Sequence, residues 1–282
     1  MGQRRICSVL FWFYRVSSEE VEGTMIDHIE TVSVFQNYTK NYNEALKDID
    51  RKILHTFRVA KAAEMIAEGM GLGSDDIDLA WFLGILHDTG RFEQERRYGT
   101  FVDAFSVDHA ELGADILFVD GLIDRYPTDG LQEGWRSLCE TAVRLHNKLA
   151  LPPDLDPRTR LFCQLIRDAD KTDIFRVIAT TPFEDIAGAG RSRFTDEPEA
   201  GKDLMDCVCA HQCVPRKLVK SVFDNTITYC CMAFDLELKV TRTIVKEQGY
   251  LLQLLQGGEN EKQIEQLRIT RAEIEKAWGL KL

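Results

Sequence analysis

The chain has 282 residues, of which 44% are hydrophobic, and it carries a formal net charge of −11 at pH 7. A chain of this length and apolar content can bury a full core, either as one large domain or as one domain with a helical appendage. The basic residues are dispersed, which argues against a large nucleic-acid partner because such binding neutralises many phosphates, and no apolar stretch is long enough for a membrane span.

The first 24 residues are predicted to be an N-terminal extension outside the fold. Their apolar run, residues 9–14, follows Arg4 and Arg5 as in a signal peptide, but it is too short and no cleavage site follows it. Two interpretations stay open: a native extension, or a segment upstream of a natural start at Met25. Four of the eight cysteines lie in apolar helical runs, where free cysteine behaves as a small hydrophobe. This placement favours a reduced, cytoplasmic protein.

Apolar residues recur at spacings of three and four along nearly the whole chain, which predicts an all-α protein. One helix ends near residues 69–73, and the next begins with Ser74 as its N-cap. This second helix is apolar on all sides and should occupy the centre of the fold. Thr89 and Gly90 are predicted to end it, with a loop following. The later helices are expected at about 107–118, 134–146, 157–177 (capped by Asp156), 215–234, 238–255 and 259–278, with an irregular segment at 181–202.

Histidines and carboxylates near the ends of these helices are candidate metal ligands. His87 and Asp88 end the most buried helix, and Asp170 follows Ile166 on a stripe that should face the core. A buried carboxylate is costly unless it is paired or bound to a metal. A single histidine in a helix is usually an ordinary core or surface residue, so the argument depends on an ordered set in separate helices: His55, His87, Asp88, His109, His146 and Asp170.

Five segments of the chain resemble motifs of the HD superfamily of metal-dependent phosphohydrolases. Together they span about residues 46–177, and they occur in the order typical of that family. The resemblance implies a helical HD-domain bundle at 25–180, with a loop and C-terminal helices at 181–282 that pack on the core or on a second subunit of a homo-oligomer. The segments are His55-Thr-Phe-Arg-Val-Ala60, Leu86-His-Asp-Thr-Gly-Arg91, His109-Ala-Glu-Leu-Gly-Ala114, Leu145-His-Asn147 and Arg167-Asp-Ala-Asp-Lys171.

The resemblance also implies a ligand set and a cofactor. The basal metal site of the family would be formed by His55, His87, Asp88 and Asp170. His109 and His146 match the extra pair of two-metal members, in which Asp88 would bridge two divalent ions. Mixed imidazole and carboxylate ligands suit iron, manganese, zinc or nickel.

A centre with two divalent ions and two carboxylates stays positive, which favours a small anionic substrate such as a phosphate ester. The predicted catalytic residues are Asp88, Arg91 and Lys171. Phosphate contacts are expected from Arg58, Arg91 and Lys171, because cations stabilise the charge that develops during phosphoryl transfer. Surface salt bridges are the alternative for these three cations. Asp173, one turn after Asp170, is expected to orient a ligand or Lys171.

The implied reaction is hydrolysis of a nucleotide, a dinucleotide or another small phosphoester by a water that two metals activate. Cyclic di-guanylate is disfavoured, because Asn147 rather than a second histidine follows His146 and no Gly-Tyr-Pro segment occurs. Two alternatives stay open, namely a mixed-valent di-iron oxygenase on the same scaffold and a non-catalytic HD signalling module. Arg191 and Arg193 are interpreted either as part of a closing loop or as a solvated surface.

Overall fold

The computed structural model describes residues 26–42, 47–187 and 195–282. The predicted N-terminal extension, residues 1–24, and the two arginines Arg191 and Arg193 lie outside the described residues. Within the described ranges the regular structure is helical and no strand forms, although Thr195 and Ser221 make an isolated bridge. The prediction of an all-α protein is therefore confirmed. In those same ranges, every helix is too short or too polar to cross a bilayer.

The described helices are numbered here in chain order. Short 3₁₀ turns join several of them, and a π turn at Asp115–Val119 continues the fifth. The α-helices are α1 His28–Thr39, α2 Lys47–Gly69, α3 Ser74–Leu86, α4 Thr89–Tyr98, α5 His109–Ala114, α6 Trp135–Leu145, α7 Pro157–Thr180, α8 Phe183–Ala187, α9 Lys202–Cys209, α10 Val222–Cys231, α11 Lys239–Gln248, α12 Tyr250–Leu254 and α13 Glu261–Trp278.

The chain divides into two compact units whose boundary falls between Ile166 and Arg167, inside α7. Helices α1 to α6 belong to the first unit, and α8 to α13 belong to the second. The Asp156 side chain accepts hydrogen bonds from the backbone N–H groups of Arg158 and Thr159, so the predicted cap of α7 is confirmed. The sequence-based domain limits of 25–180 and 181–282 stay a prediction.

Helix α3 is the centre of the first unit, as its apolar sequence predicts. All nine residues from Asp78 to Leu86 are buried. Gly84 lets α3 approach α2 closely, because a Cβ at this position would lie 2.4 Å from the Cα of Ala60. The helix begins one residue differently from the prediction: Gly73 is the N-cap and Ser74 is the first helical residue.

Helix α4 begins where the sequence predicts a loop. The prediction of a loop after Thr89 and Gly90 is wrong, because both residues lie in α4. Only His87 and Asp88 separate α3 from α4. The hydroxyl of Thr89 donates to the Leu86 carbonyl oxygen at 2.8 Å, which satisfies one of the carbonyls at the end of α3. The chain therefore turns a tight corner at His87 and Asp88 and resumes as a helix.

The second unit has its own apolar core, to which α9, α10, α11, α12 and α13 contribute. Its α10 begins with a capping box between Ser221 and Asp224. The indole N–H of Trp278, at the end of α13, donates to the Ala233 carbonyl oxygen at 2.9 Å. The predicted continuous helix at 238–255 is instead two helices, because Gly249 adopts a φ of 74° and ends α11.

Candidate metal centre

The corner between α3 and α4 presents His87 and Asp88 to the same space. The Nδ1 atom of His87 lies 2.7 Å from the Gly84 carbonyl oxygen. Since a carbonyl only accepts hydrogen bonds, Nδ1 carries the proton and Nε2 offers a lone pair. Asp88 occupies the N-cap position of α4, yet its side chain accepts no hydrogen bond from that helix. Because the carboxylate does not cap the helix, its oxygens face the neighbouring histidines, and Oδ2 also accepts from Lys52 at 2.7 Å.

His146, at the end of α6, is oriented in the same way as His87, by a backbone carbonyl three residues earlier. Its Nδ1 lies 2.7 Å from the Val143 carbonyl oxygen, so its Nε2 also offers a lone pair. His109 is the first residue of α5, and Asp108 caps that helix by accepting from the N–H of Ala110. The sequence thus places two imidazoles at helix C-termini and one at a helix N-terminus.

Asp88 lies between two pairs of imidazoles. Its Oδ2 is 3.6 Å from Nε2 of His55, on α2, and 3.5 Å from Nε2 of His87. Its Oδ1 is 3.5 Å from Nε2 of His109 and 3.7 Å from Nε2 of His146. All five side chains are almost completely buried. One carboxylate oxygen therefore faces each pair, which is the arrangement of a bridging ligand.

The charges of this cluster follow from its burial. Burial alone would raise the pKa of the Asp88 carboxyl, but Lys52 and His87 outweigh it, and the pKa lies well below its usual range. Burial lowers the pKa of His109 to about 4, so this imidazole is neutral near pH 7. A charged Asp88 carboxylate beside a neutral His109 imidazole is the protonation state in which these two groups bind a metal.

The second pair of imidazoles provides a test of whether these residues suit a metal. The Nε2 atoms of His109 and His146 are 3.0 Å apart. The Nδ1 atom of each ring faces an acceptor, Asp103 for His109 and the Val143 carbonyl for His146. With both Nδ1 atoms directed at acceptors, the two Nε2 lone pairs face each other, and a proton or a metal ion beside both would satisfy them. The donor set of Asp88, His109 and His146 fits a divalent ion of the transition series.

Arg91, predicted as a catalytic and phosphate-binding residue, lies beside this second pair. Its Nη1 donates to Asp103 Oδ1 at 2.9 Å, to Gln94 Oε1 at 3.0 Å and to the Phe101 carbonyl oxygen at 2.5 Å. Its Nε is 3.5 Å from Asp88 Oδ1. The guanidinium is therefore held by protein groups within reach of the centre, and its role toward a substrate stays a prediction.

Lys52 is a further cation at the centre that sequence reasoning missed. Its Nζ lies 2.7 Å from Asp88 Oδ2, the oxygen that also faces His55 and His87. The side chain is 22% exposed while Asp88 is 3% exposed, so the lysine reaches the centre from the solvent side. Lys52 precedes His55 by three residues on α2, and this spacing is the signal that would have placed it on the ligand face.

The remaining predicted residues are described within their own parts of the chain. Arg58 is half-buried, one turn after His55 on α2, and Asp170 is half-buried on α7, four residues into the second unit. Lys171 is buried and its Nζ lies 2.8 Å from Oδ2 of Asp235, with which Arg167 also pairs at 2.6 Å. Asp173 is buried as well. Their roles as ligand, phosphate contact or orienting group stay predictions.

Comparison with known families agrees with this geometry. An all-helical unit with four buried histidines around one aspartate is a candidate metal-binding domain. Residues 53–174 match the family model of the HD domain, a range that includes every predicted ligand from His55 to Asp170. This part of the chain is therefore similar to HD domains, which are generally metal-dependent phosphohydrolases and in some cases non-catalytic. Neither the curated proteins nor the solved structures provide a match.

Proposed function

We propose that the protein is a phosphohydrolase that uses two divalent ions to hydrolyse a small phosphate ester. The observation that carries the proposal is the position of Asp88, with one carboxylate oxygen toward His55 and His87 and the other toward His109 and His146. Two ions bridged by a carboxylate are the usual arrangement of sites for phosphate chemistry. A site for one ion would leave one pair of buried imidazoles without a function.

Each ligand has an assigned place in the proposal. The first ion would be held by His55, His87 and Asp88, with Asp170 as the fourth ligand that the family motif supplies. The second ion would be held by Asp88, His109 and His146. Ions held there would lower the pKa of a water and polarise the phosphoryl group. Iron, manganese, zinc and nickel all suit these ligands.

The chain's own cations would then bind and orient the substrate. With ions on both sides of Asp88, the ammonium of Lys52 would be repelled from its present partner and would need another anion. A substrate phosphate is that anion, and Lys52 is reachable from solvent. Arg91, and on the sequence argument Arg58 and Lys171, would stabilise charge on the transferring group. The substrate class is therefore a small phosphoester, namely a nucleotide, a dinucleotide or another organic phosphate.

The test combines metal content with turnover. Metal-free protein is loaded separately with manganese, iron, nickel and zinc, and each form is assayed with phosphomonoesters, phosphodiesters and dinucleotides. We expect hydrolysis by at least one form, read as inorganic phosphate from a monoester or as a phosphomonoester product from a diester or dinucleotide, and we expect it to be lost in Asp88→Asn. His211→Gln, which changes a histidine outside the centre, is the matched control and should retain activity. His211 pairs with Glu273 and stacks on Phe234 in the second unit.

Three results would contradict the proposal. Full occupancy without turnover by any metal form would argue against hydrolysis. A mixed-valent electron paramagnetic resonance signal that substrate perturbs would instead support the di-iron oxygenase. Less than one ion per chain after loading would support the non-catalytic signalling module.

A further inference from the structure

The imidazoles of the centre are held in place by two different kinds of acceptor. His87 and His146 each direct Nδ1 at a backbone carbonyl three residues earlier in the same helix, at 2.7 Å. His109 begins its helix, so no earlier helical carbonyl is available to it. Its Nδ1 instead lies 2.7 Å from Oδ2 of Asp103, in the loop between α4 and α5. The orientation of this one imidazole thus depends on a side chain from another segment.

Asp103 is itself held by several donors. Its Oδ1 accepts from Arg91 at 2.9 Å and from the amide of Gln94 at 2.8 Å, and its Oδ2 also accepts from Asn147 at 3.3 Å. Gln94 is completely buried and donates further to the Ser106 hydroxyl and the Val107 carbonyl, which fixes the loop to α4. A carboxylate with this many partners has little freedom to reorient.

These contacts close a ring around one side of Asp88. The ring runs from Asp88 Oδ1 to His109 Nε2 at 3.5 Å, and from His109 Nδ1 to Asp103 Oδ2 at 2.7 Å. It returns from Asp103 Oδ1 to Arg91 Nη1 at 2.9 Å, and from Arg91 Nε to Asp88 Oδ1 at 3.5 Å. His55 and His87 take no part in this ring. His109 is thus the one imidazole in the ring, and it belongs to the pair proposed for the second ion.

We infer that Asp103 is the positioning residue of the second metal site, where it fixes His109 with Nε2 toward the ion. An ionised carboxylate only accepts, so it permits a single tautomer of His109, with the proton on Nδ1. Asparagine offers both a carbonyl and an amide and would not enforce that choice. Partners of this kind typically change metal affinity 10- to 100-fold. The inference rests on the two-ion centre proposed above.

The test compares Asp103→Asn with Asp108→Asn in metal-free protein titrated with Mn²⁺. Free ion is counted by electron paramagnetic resonance, so the readout does not depend on turnover. Asp108 is the matched control because it is an aspartate of the same cluster whose removal deletes the same charge. Asparagine preserves its helix-capping role, and its other contacts are with Asn147 and Lys148 rather than with the His109 ring.

We expect Asp103→Asn to bind the first ion as the wild type does and the second about 10- to 100-fold more weakly. Retention of the first ion also shows that the variant has folded. Asp108→Asn should bind both ions within about threefold of the wild type. An unchanged second affinity in Asp103→Asn, or an equal loss in Asp108→Asn, would overturn the role of Asp103. A wild type that binds one ion only would instead refute the two-ion centre itself.

Discussion

Gly90 is the point where α4 crosses α5, and an alanine there should displace His109. A Cβ at position 90 would lie 2.2 Å from the His109 carbonyl oxygen and 2.5 Å from the backbone nitrogen of Gly113. Both are backbone atoms, so no change of rotamer relieves the overlap. Ordinary contact begins at 3.4 Å, and α5 would have to move by about 1 Å to reach it.

The displacement has an expected cost in stability and another in function. Overpacking of this kind destabilises a protein by about 1–3 kcal/mol. For a chain of this size each 1 kcal/mol lowers Tm by about 2–4 °C, so Tm of Gly90→Ala should fall by roughly 2–12 °C. The functional loss should be larger, because a shift of about 1 Å at a catalytic group reduces the rate roughly 100-fold.

The assay measures Tm of the metal-free protein, the affinity for each of two Mn²⁺ ions and phosphate release. Gly73→Ala is the control, because Gly73 has an ordinary φ of −69° and a Cβ there would meet nothing within 4 Å. This control should cost less than about 1 kcal/mol, the scale of an N-cap change. If Gly90→Ala keeps the wild-type Tm and binds both ions normally, α4 and α5 do not cross as closely as described and the reasoning fails.

Four further substitutions test the centre and the ion pairs of α4. Asp88→Asn should bind neither ion, measured by metal analysis, whereas His109→Ala should keep one; equal losses in both would contradict a bridging carboxylate. Lys52→Met should raise KM about tenfold, or about 1.4 kcal/mol in substrate binding, with both ions retained, and an unchanged KM would remove Lys52 from the substrate site. The hydrogen bond from Arg96 lowers the pKa of Glu93 to about 2 from 4.5 in the unfolded chain. The stability from Glu93 is therefore present above pH 4.5 and lost as pH falls toward 2. Glu93→Gln should lower the free energy of unfolding in urea by about 1 kcal/mol at pH 7, because solvent screens the exposed arginine partners, and a difference that persists undiminished at pH 2 would refute this linkage.

The sequence predicts those parts of the fold that depend on local periodicity. An uninterrupted apolar run makes α3 a central helix, and its burial from Asp78 to Leu86 confirms this. Asp156 before Pro157 marks the start of α7. The prediction is wrong at Thr89 and Gly90, because a glycine at this place in the sequence resembles a helix stop. There the glycine instead permits close contact between two helices. Such a contact depends on a partner 19 to 23 residues away in sequence, and no local pattern reveals it.

The candidate site also contains residues that the sequence predicts and one, Asp103, that it does not. Histidines can be found from sequence because they are few and their order matches a family motif, and the structure brings four of them around Asp88. Asp103 could not be found in this way, since it lies in a loop without periodicity. Aspartates and glutamates number 46 in the chain, so composition does not single out one of them. Its importance becomes visible only when the 2.7 Å contact with His109 is known.

The imidazoles of the centre therefore differ in how much of the chain is needed to orient them. His87 is oriented by a carbonyl of its own helix, so any sequence that forms α3 also orients this ligand. His109 is oriented only if α4, the loop that carries Asp103 and the start of α5 all adopt their places together. In the proposed two-ion centre, a change at Asp103 should therefore weaken the second ion site and leave the first intact.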